Sequence, residues 1–147
     1  MNLEVTTNTR EFTWPVRVYY EDTDAGGVVY HANYLKFMER ARSEWLRALG
    51  YEQDRLSADM NIVFAVRNIA VDYLKPARFN DELIVHSRLT ALGAASVDFA
   101  QDIARADGTA IAAGRVSVVC IDAGAFRPRA IPKEIHNAMK RCIDNAG

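Results

Sequence analysis

Between Tyr34 and Leu49, apolar side chains return every three or four positions. Tyr34, Met38, Ala41, Trp45 and Leu49 carry the period, Leu35 and Leu46 stand beside them, and Lys36, Glu39, Arg40 and Arg47 fall elsewhere. That spacing predicts an amphipathic helix of about five turns, opening at His31 and presenting a wide apolar face. Gly50 stands where a C-terminal cap belongs. Elsewhere the period is mostly two. In "WPVRVYYE" (14–21), Val16, Val18 and Tyr20 share one strand face, and Arg17, Tyr19 and Glu21 the other. "NIVFAVRNIAVDYL" (61–74) is a long strand rich in Val and Ile, and "DELIVHSRLTAL" (81–92) sets Leu83, Val85, Ser87 and Leu89 against Ile84, His86, Arg88 and Thr90. Residues 96–122 read as two strands about Asp107-Gly108, a strong hairpin signal. "PKEIHNAMKRCI" (132–143) closes the chain as a short helix, with Pro132 near its first turn.

The order is one strand, one long helix, then four strands. Short connections predict that those four form an antiparallel meander. A single sheet buries a long amphipathic helix by curving around it. The expected class is α+β, an antiparallel five-stranded sheet wrapped around one helix. The outer sheet face would keep apolar residues, so a further subunit is expected there. The 147 residues suit one domain spanning 1–147. Residues 1–13 are polar and expected to be loose.

Composition narrows the function. A net charge of −1 gives no global field for nucleic acid or an anionic membrane, so an anion site needs a local basic cluster. Cys120 and Cys142 match no zinc or redox spacing, and Cys120 lies in an apolar run as a buried thiol. Residues 1–14 have no signal-peptide core, and no run approaches the roughly 18 apolar residues of a membrane span. The expectation is a soluble, cytoplasmic protein without a transmembrane segment.

The chemistry concentrates in "YYEDTDAGGVVYHANY" (19–34). Glu21, Asp22 and Asp24 crowd together, two glycines follow, and His31 stands at the helix entrance. A calcium loop fits poorly, because counting from Asp22 the twelfth position is Asn33, where a bidentate Glu is needed. An aspartate-nucleophile phosphatase would need a parallel, doubly wound sheet, which the hairpins oppose. A plain turn explains Gly26 and Gly27 but not an acid beside a helix entrance and a His. A helix N-terminus offers free N–H groups and partial positive charge, and glycines admit a ligand close to the backbone. Such a site can hold an oxyanion while a carboxylate attacks or activates water. Acyl transfer from a thioester requires that combination. No GxSxG is present, and both cysteines lie far away.

"VYYEDTDAGGVVYHANYLKFMERAR" (18–42) strongly resembles the signature of hotdog-fold acyl-CoA thioesterases, the group named for 4-hydroxybenzoyl-CoA thioesterase. The bacterial subfamily associated with the Tol-Pal cell-envelope system is the nearest match, and "FAVRNIAVDYLKPARFND" and "FRPRAIP" look like it too. The resemblance covers roughly residues 14 to 135. It implies the hotdog fold and hydrolysis of short- to medium-chain acyl-CoA, aromatic acyl groups included. It places the catalytic carboxylate, nucleophile or general base, at Asp24, and the donor to the thioester carbonyl at the His31 backbone N–H. It implies a homotetramer built from dimers, with no cofactor beyond the CoA of the substrate and no metal.

Tyr20, Val29 and Tyr30 are candidates to line the pocket, Tyr20 and Tyr30 equally for the core. Arg67, Lys75, Arg78, Arg127 and Arg129 are candidates for the CoA phosphates, from this chain or a neighbour. Asp22 and Glu21 read as turn or supporting residues, Asn33 as a helix starter, His86 as structural and His136 as solvent-facing. A binding module for acyl carrier protein or acyl-CoA in an envelope or lipid-synthesis complex, peripheral to the inner membrane, is the alternative reading. A hotdog dehydratase fits the acidic motif poorly.

Overall fold

The computed structural model describes residues 11–144. Of the segment expected to be loose, residues 1–10 lie outside the described residues, whereas 11–13 already belong to the first strand. The elements run β1 (Glu11–Arg17), a 3-10 turn (Tyr20–Asp22), α1 (Asn33–Ala48), the single turn α2 (Gln53–Arg55) with a wider turn at Leu56–Met60, β2 (Ile62–Tyr73), β3 (Glu82–Leu92), β4 (Ser96–Arg105), β5 (Ala110–Asp122) and α3 (Lys133–Asp144). The strands form one antiparallel sheet in the order β1-β3-β4-β5-β2.

β3, β4 and β5 make the expected meander. At the β4–β5 turn Gly108 takes a φ of 94° and the Asp107 carboxylate accepts the Thr109 N–H. β2 corrects the expectation: it pairs with β5 and not with β3, with Phe64 opposite Cys120 and Val71 opposite Gly114. The chain between β2 and β3 crosses the end of the sheet instead of turning back. Leu74 and Lys75 donate their N–H groups to the Ile111 carbonyl, and Asn80 donates to the Val18 carbonyl. Three strand spacings amount to about 14 Å, within easy reach of that length of extended chain.

α1 lies on the inner face of the sheet, as in the hotdog fold. Its buried side chains Tyr34, Phe37, Met38, Ala41, Trp45 and Leu46 pack with apolar residues of β3, β4 and β5 in two continuous clusters. The alternation in β3 holds, with Leu83, Val85, Ser87 and Leu89 buried. Gly114 lets helix and sheet approach: a Cβ there would sit 2.8 Å from the Met38 methyl and 3.1 Å from the Gln101 carbonyl oxygen. The fully buried Gln101 amide donates to the Met38 carbonyl and to Ser87 Oγ, each at 2.9 Å, and accepts from Arg42 at 2.8 Å. Burial pulls the Arg42 guanidinium below its usual range. Gly50 caps α1 with a φ of 104°, and the Tyr51 N–H reaches back to the Leu46 carbonyl.

The outer face is more polar than expected. Arg88, Arg115 and Asp102 stand exposed among small residues, and His86 meets Glu11 at 3.1 Å. His136 is half-buried rather than solvent-facing, its ring 3.2 Å from the Gly93 carbonyl. Cys120 and Cys142 are both buried, and burial raises both thiols.

Candidate active site

After β1 the chain bends into the 3-10 turn at Tyr20–Asp22, which corrects the reading of Tyr20. The strand ends at Arg17, so the alternation through Val16 and Val18 stops there. Tyr20 is 79% exposed, neither in the core nor at the helix entrance. It packs edge-on against Phe79 at 5.5 Å and lines a separate open groove with Arg17 and Asn80.

Asp22 is buried and fully engaged. One oxygen accepts the Asn33 side-chain amide at 2.9 Å, the other the Tyr19 backbone N–H at 2.8 Å. It therefore pins Asn33, the first residue of α1, to Tyr19 just beyond β1, a supporting role for Asp22.

Asp24 differs. It is exposed and heads a tight turn in which the Gly27 N–H donates to its carbonyl at 3.0 Å and Gly27 takes a φ of 81°. One carboxylate oxygen accepts the Gly26 N–H at 2.8 Å. No partner to the second oxygen is seen among the described residues. The two limbs of the turn are joined by the Thr23–Val29 bridge and by the Asp24 N–H bonded to the Val28 carbonyl at 2.9 Å. The glycines serve this geometry: one provides the left-handed backbone, the other a bare N–H for the carboxylate.

The returning limb delivers Val29, Tyr30 and His31 to the start of α1. The helix begins at Asn33 with Ala32 as its cap, so His31 precedes the helix instead of opening it. Tyr30 and Ala32 carbonyls accept the Asn33 and Leu35 N–H groups. The His31 N–H donates to no acceptor seen among the described residues. An amide with no acceptor at the positive end of a helix can bind an oxyanion. The His31 carbonyl accepts the Tyr73 hydroxyl at 3.1 Å, and its exposed ring lies 4.5 Å from that of Tyr30.

A cavity of about 250 Å³ opens here, lined by Val29, His31, Tyr34, Tyr73, Leu74, Lys75 and Pro76. Three sequence-derived candidates, Val29, His31 and Lys75, thus share one wall. Tyr30 adjoins them through its ring contact, and Asp24 stands on the neighbouring turn outside the lining. Arg78 is brought to the same turn by the Val28–Arg78 bridge. Sequence reasoning missed Tyr73, Leu74 and Pro76, and it placed Tyr34 in the core without its second role. Tyr34 Oη accepts the Ala77 N–H at 3.0 Å, and burial raises its phenol above the usual range.

Arg67, Arg127 and Arg129 do not join this site within one chain. Arg67 donates to Ser117 Oγ at 2.9 Å. Arg129 binds the Met60 carbonyl at 2.9 Å and pairs with Asp122 at 3.4 Å, near the first residue of β2. Arg127 lies in the same loop, where its carbonyl accepts the Asp122 N–H. Tyr73 and the cavity are at the other end of that strand. No group of three or more His, Cys, Asp or Glu is placed to hold a metal among the described residues, and none of their helices is long and apolar enough to cross a membrane.

Residues 18–139 match the thioesterase-like superfamily. The chain is similar to the acyl-CoA thioester hydrolase YbgC of Escherichia coli O6:H1, 48% identical over 128 residues covering 87% of this chain and 95% of the relative. It is 44% identical to the acyl-CoA thioesterase YbgC of Haemophilus influenzae over 127 residues, covering 86% and 93%. Among solved structures it is similar to a probable thioesterase from Bartonella henselae, with 32% identity, a TM-score of 0.79, and coverage of 83% of this chain and 99% of that one.

Proposed function

Because the chain belongs to the thioesterase-like superfamily, we propose that Asp24 and the start of α1 form the catalytic centre of an acyl-CoA thioester hydrolase. The activity itself, hydrolysis of an acyl-CoA thioester, follows from that membership and from the extent of identity to the YbgC enzymes. One observation carries the assignment of the centre. A carboxylate with one oxygen held by Gly26 is tied, through the Thr23–Val29 bridge, to the limb that presents the His31 N–H.

The thioester carbonyl points its oxygen at the His31 N–H, which stabilises the negative charge that develops on attack. Asp24 acts in one of two ways. It attacks the carbonyl carbon, expelling CoA thiolate and leaving an acyl-aspartyl anhydride that water cleaves, or it takes a proton from the water that attacks directly. Either route releases free acid and CoA thiol and uses no metal or redox cofactor. Val29 and Tyr30 form the apolar side of the site, for short- to medium-chain and aromatic acyl groups. Lys75 and Arg78 face the CoA phosphates from the same chain, whereas Arg67, Arg127 and Arg129 serve only from another copy. The assembly is a homotetramer built as a dimer of dimers, each chain a single domain.

A binding module is the second reading, favoured by the exposed Tyr20–Phe79 pair beside Arg17. This surface suits acyl carrier protein or a lipid-synthesis enzyme, in the cytoplasm or peripheral to the inner membrane and associated with Tol-Pal.

Free-thiol release from acetyl- through palmitoyl- and benzoyl-CoA tests the assignment, with wild type and Asp24→Asn in parallel. Asn keeps an oxygen for the Gly26 N–H, so the turn survives. The variant should lose at least about 100-fold in kcat while remaining folded. Near-wild-type turnover in the folded variant would end the Asp24 mechanism. No turnover of any acyl-CoA by the wild type would favour the binding module.

A further inference from the structure

β2 does not keep one alternation along its length. Its register against β5 shifts between Val66 and Asn68, which makes Arg67 an extra residue, and the Arg67 guanidinium is tied to Ser117 Oγ at 2.9 Å. Before this bulge Ile62 and Phe64 pack into the inner cluster; beyond it Ile69 and Val71 do. A strand without the shift would turn Tyr73 to the outer face. Bulges are enriched beside active sites, where they re-aim a side chain. Here the side chain they re-aim is Tyr73.

Tyr73 meets the helix entrance twice. Its hydroxyl donates to the His31 carbonyl at 3.1 Å, and its ring stands edge-on to the His31 ring at 6.2 Å. Its own placement is held from two sides. The Tyr34 ring packs against it at 5.5 Å, and Tyr34 is itself buried and bonded to the Ala77 N–H. The backbone just past Tyr73 is clamped as well, since the Leu74 and Lys75 N–H groups share the Ile111 carbonyl. Yet Tyr73 is 48% exposed, and a hydroxyl bond to a carbonyl that water can reach adds little to stability. What it fixes is an orientation. Two peptide planes meet at the His31 Cα. The Tyr30 carbonyl accepts the Asn33 N–H at 2.8 Å, which sets the plane that carries the His31 N–H, and Tyr73 holds the carbonyl of the other plane. With both planes set, the His31 N–H has one direction.

Resting on the thioesterase reading, we infer that Tyr73 is a positioning residue for the reaction: its hydroxyl holds the His31 peptide so that the His31 N–H meets the thioester oxygen in the geometry of the transition state. Tyr73 touches no reacting atom. It acts through His31, and its contribution grows as negative charge develops on the thioester oxygen. A small misplacement of a donor at that point costs far more in rate than in stability. The bulge at Arg67 is the device that brings the hydroxyl there.

Tyr73→Phe tests this, because it keeps the ring contacts and removes only the hydroxyl. The variant should melt near the wild-type temperature. Its kcat for acyl-CoA should fall about tenfold to thirtyfold, less than the loss of a whole oxyanion donor, with KM little changed. Two unreactive CoA analogues separate positioning from packing. A thioether, which lacks the carbonyl, should bind both proteins equally. A ketone in which a methylene replaces the sulfur keeps the carbonyl, and its bound C=O stretch should lie nearer the free value in the variant than in the wild type. An unchanged kcat or an unchanged stretch would overturn the inference. So would a thioether affinity that falls as far as turnover does, or a variant that fails to fold, since the bond would then serve structure alone. If the wild type hydrolyses no thioester, the underlying reading falls with it; wild-type turnover that Tyr73→Phe leaves untouched removes this inference alone.

Discussion

Asp22 and Asp24 are the same residue type two positions apart, and their surroundings give them different roles. Asp22 is spent on structure: both oxygens accept, from the Asn33 amide and the Tyr19 N–H, and the group is buried. Asp24 spends one oxygen on the Gly26 N–H and presents the rest to solvent. Composition and spacing flag the acidic cluster but do not rank its members; the family resemblance selected Asp24, and the hydrogen bonds supply the physical reason. Asp22→Asn has a definite expected outcome. One of its two acceptors becomes an amide facing the Tyr19 N–H or the Asn33 amide, leaving a buried donor against a donor. That should cost about 1–3 kcal/mol of stability, seen as a lower Tm, while kcat falls less than in Asp24→Asn. An unchanged Tm would mean that these two bonds do not hold α1 to β1.

The long helix α1 and most of the strands were readable from their period, and β4 and β5 from the turn between them. The inner face of β3 and the Asp107-Gly108 turn were also legible, since both rest on local chemistry. Two features were not. β2 pairs with β5, and nothing local to β2 records which distant strand will lie beside it. The register of β2 also shifts between Val66 and Asn68, so alternation counted from Ile62 puts Tyr73 on the wrong face. Past that bulge Ile69, Val71 and Tyr73 turn inward, which is how Tyr73 reaches the His31 carbonyl. Helix and sheet then meet tightly at Gly114, beneath Met38 and beside the Gln101 carbonyl. Gly114→Val should therefore destabilise the fold by about 1–3 kcal/mol through overpacking, with Gly114→Ala milder because the Met38 methyl can swing aside. Denaturant midpoints measure both, and a Val variant as stable as wild type would show that α1 can lift from β5 freely.

At the scale of the whole molecule, the chain has an incomplete look that its parts explain. Its cavity at the helix entrance is open, the candidate phosphate contacts Lys75 and Arg129 stand near opposite ends of β2, and among the described residues no strand lies beyond the β2 edge. The expectation of a further subunit came from the outer sheet face, yet that face carries Arg88, Arg115 and Asp102. We propose the β2 edge as the place for a first partner across a twofold axis, because that strand has 12 residues and no proline to blunt it. Val66 lies near the middle of β2 and is exposed in the single chain. Val66→Lys would put two like charges close across that axis, where facing like charges oppose strand pairing. The variant should sediment as a smaller species than the wild type at the same concentration. Its thioester turnover should fall with the loss of dimer and recover in part as protein concentration rises, since mass action restores the pair. A monomeric variant with full turnover would show that one chain carries the whole site, and a fully dimeric variant would move the interface away from β2.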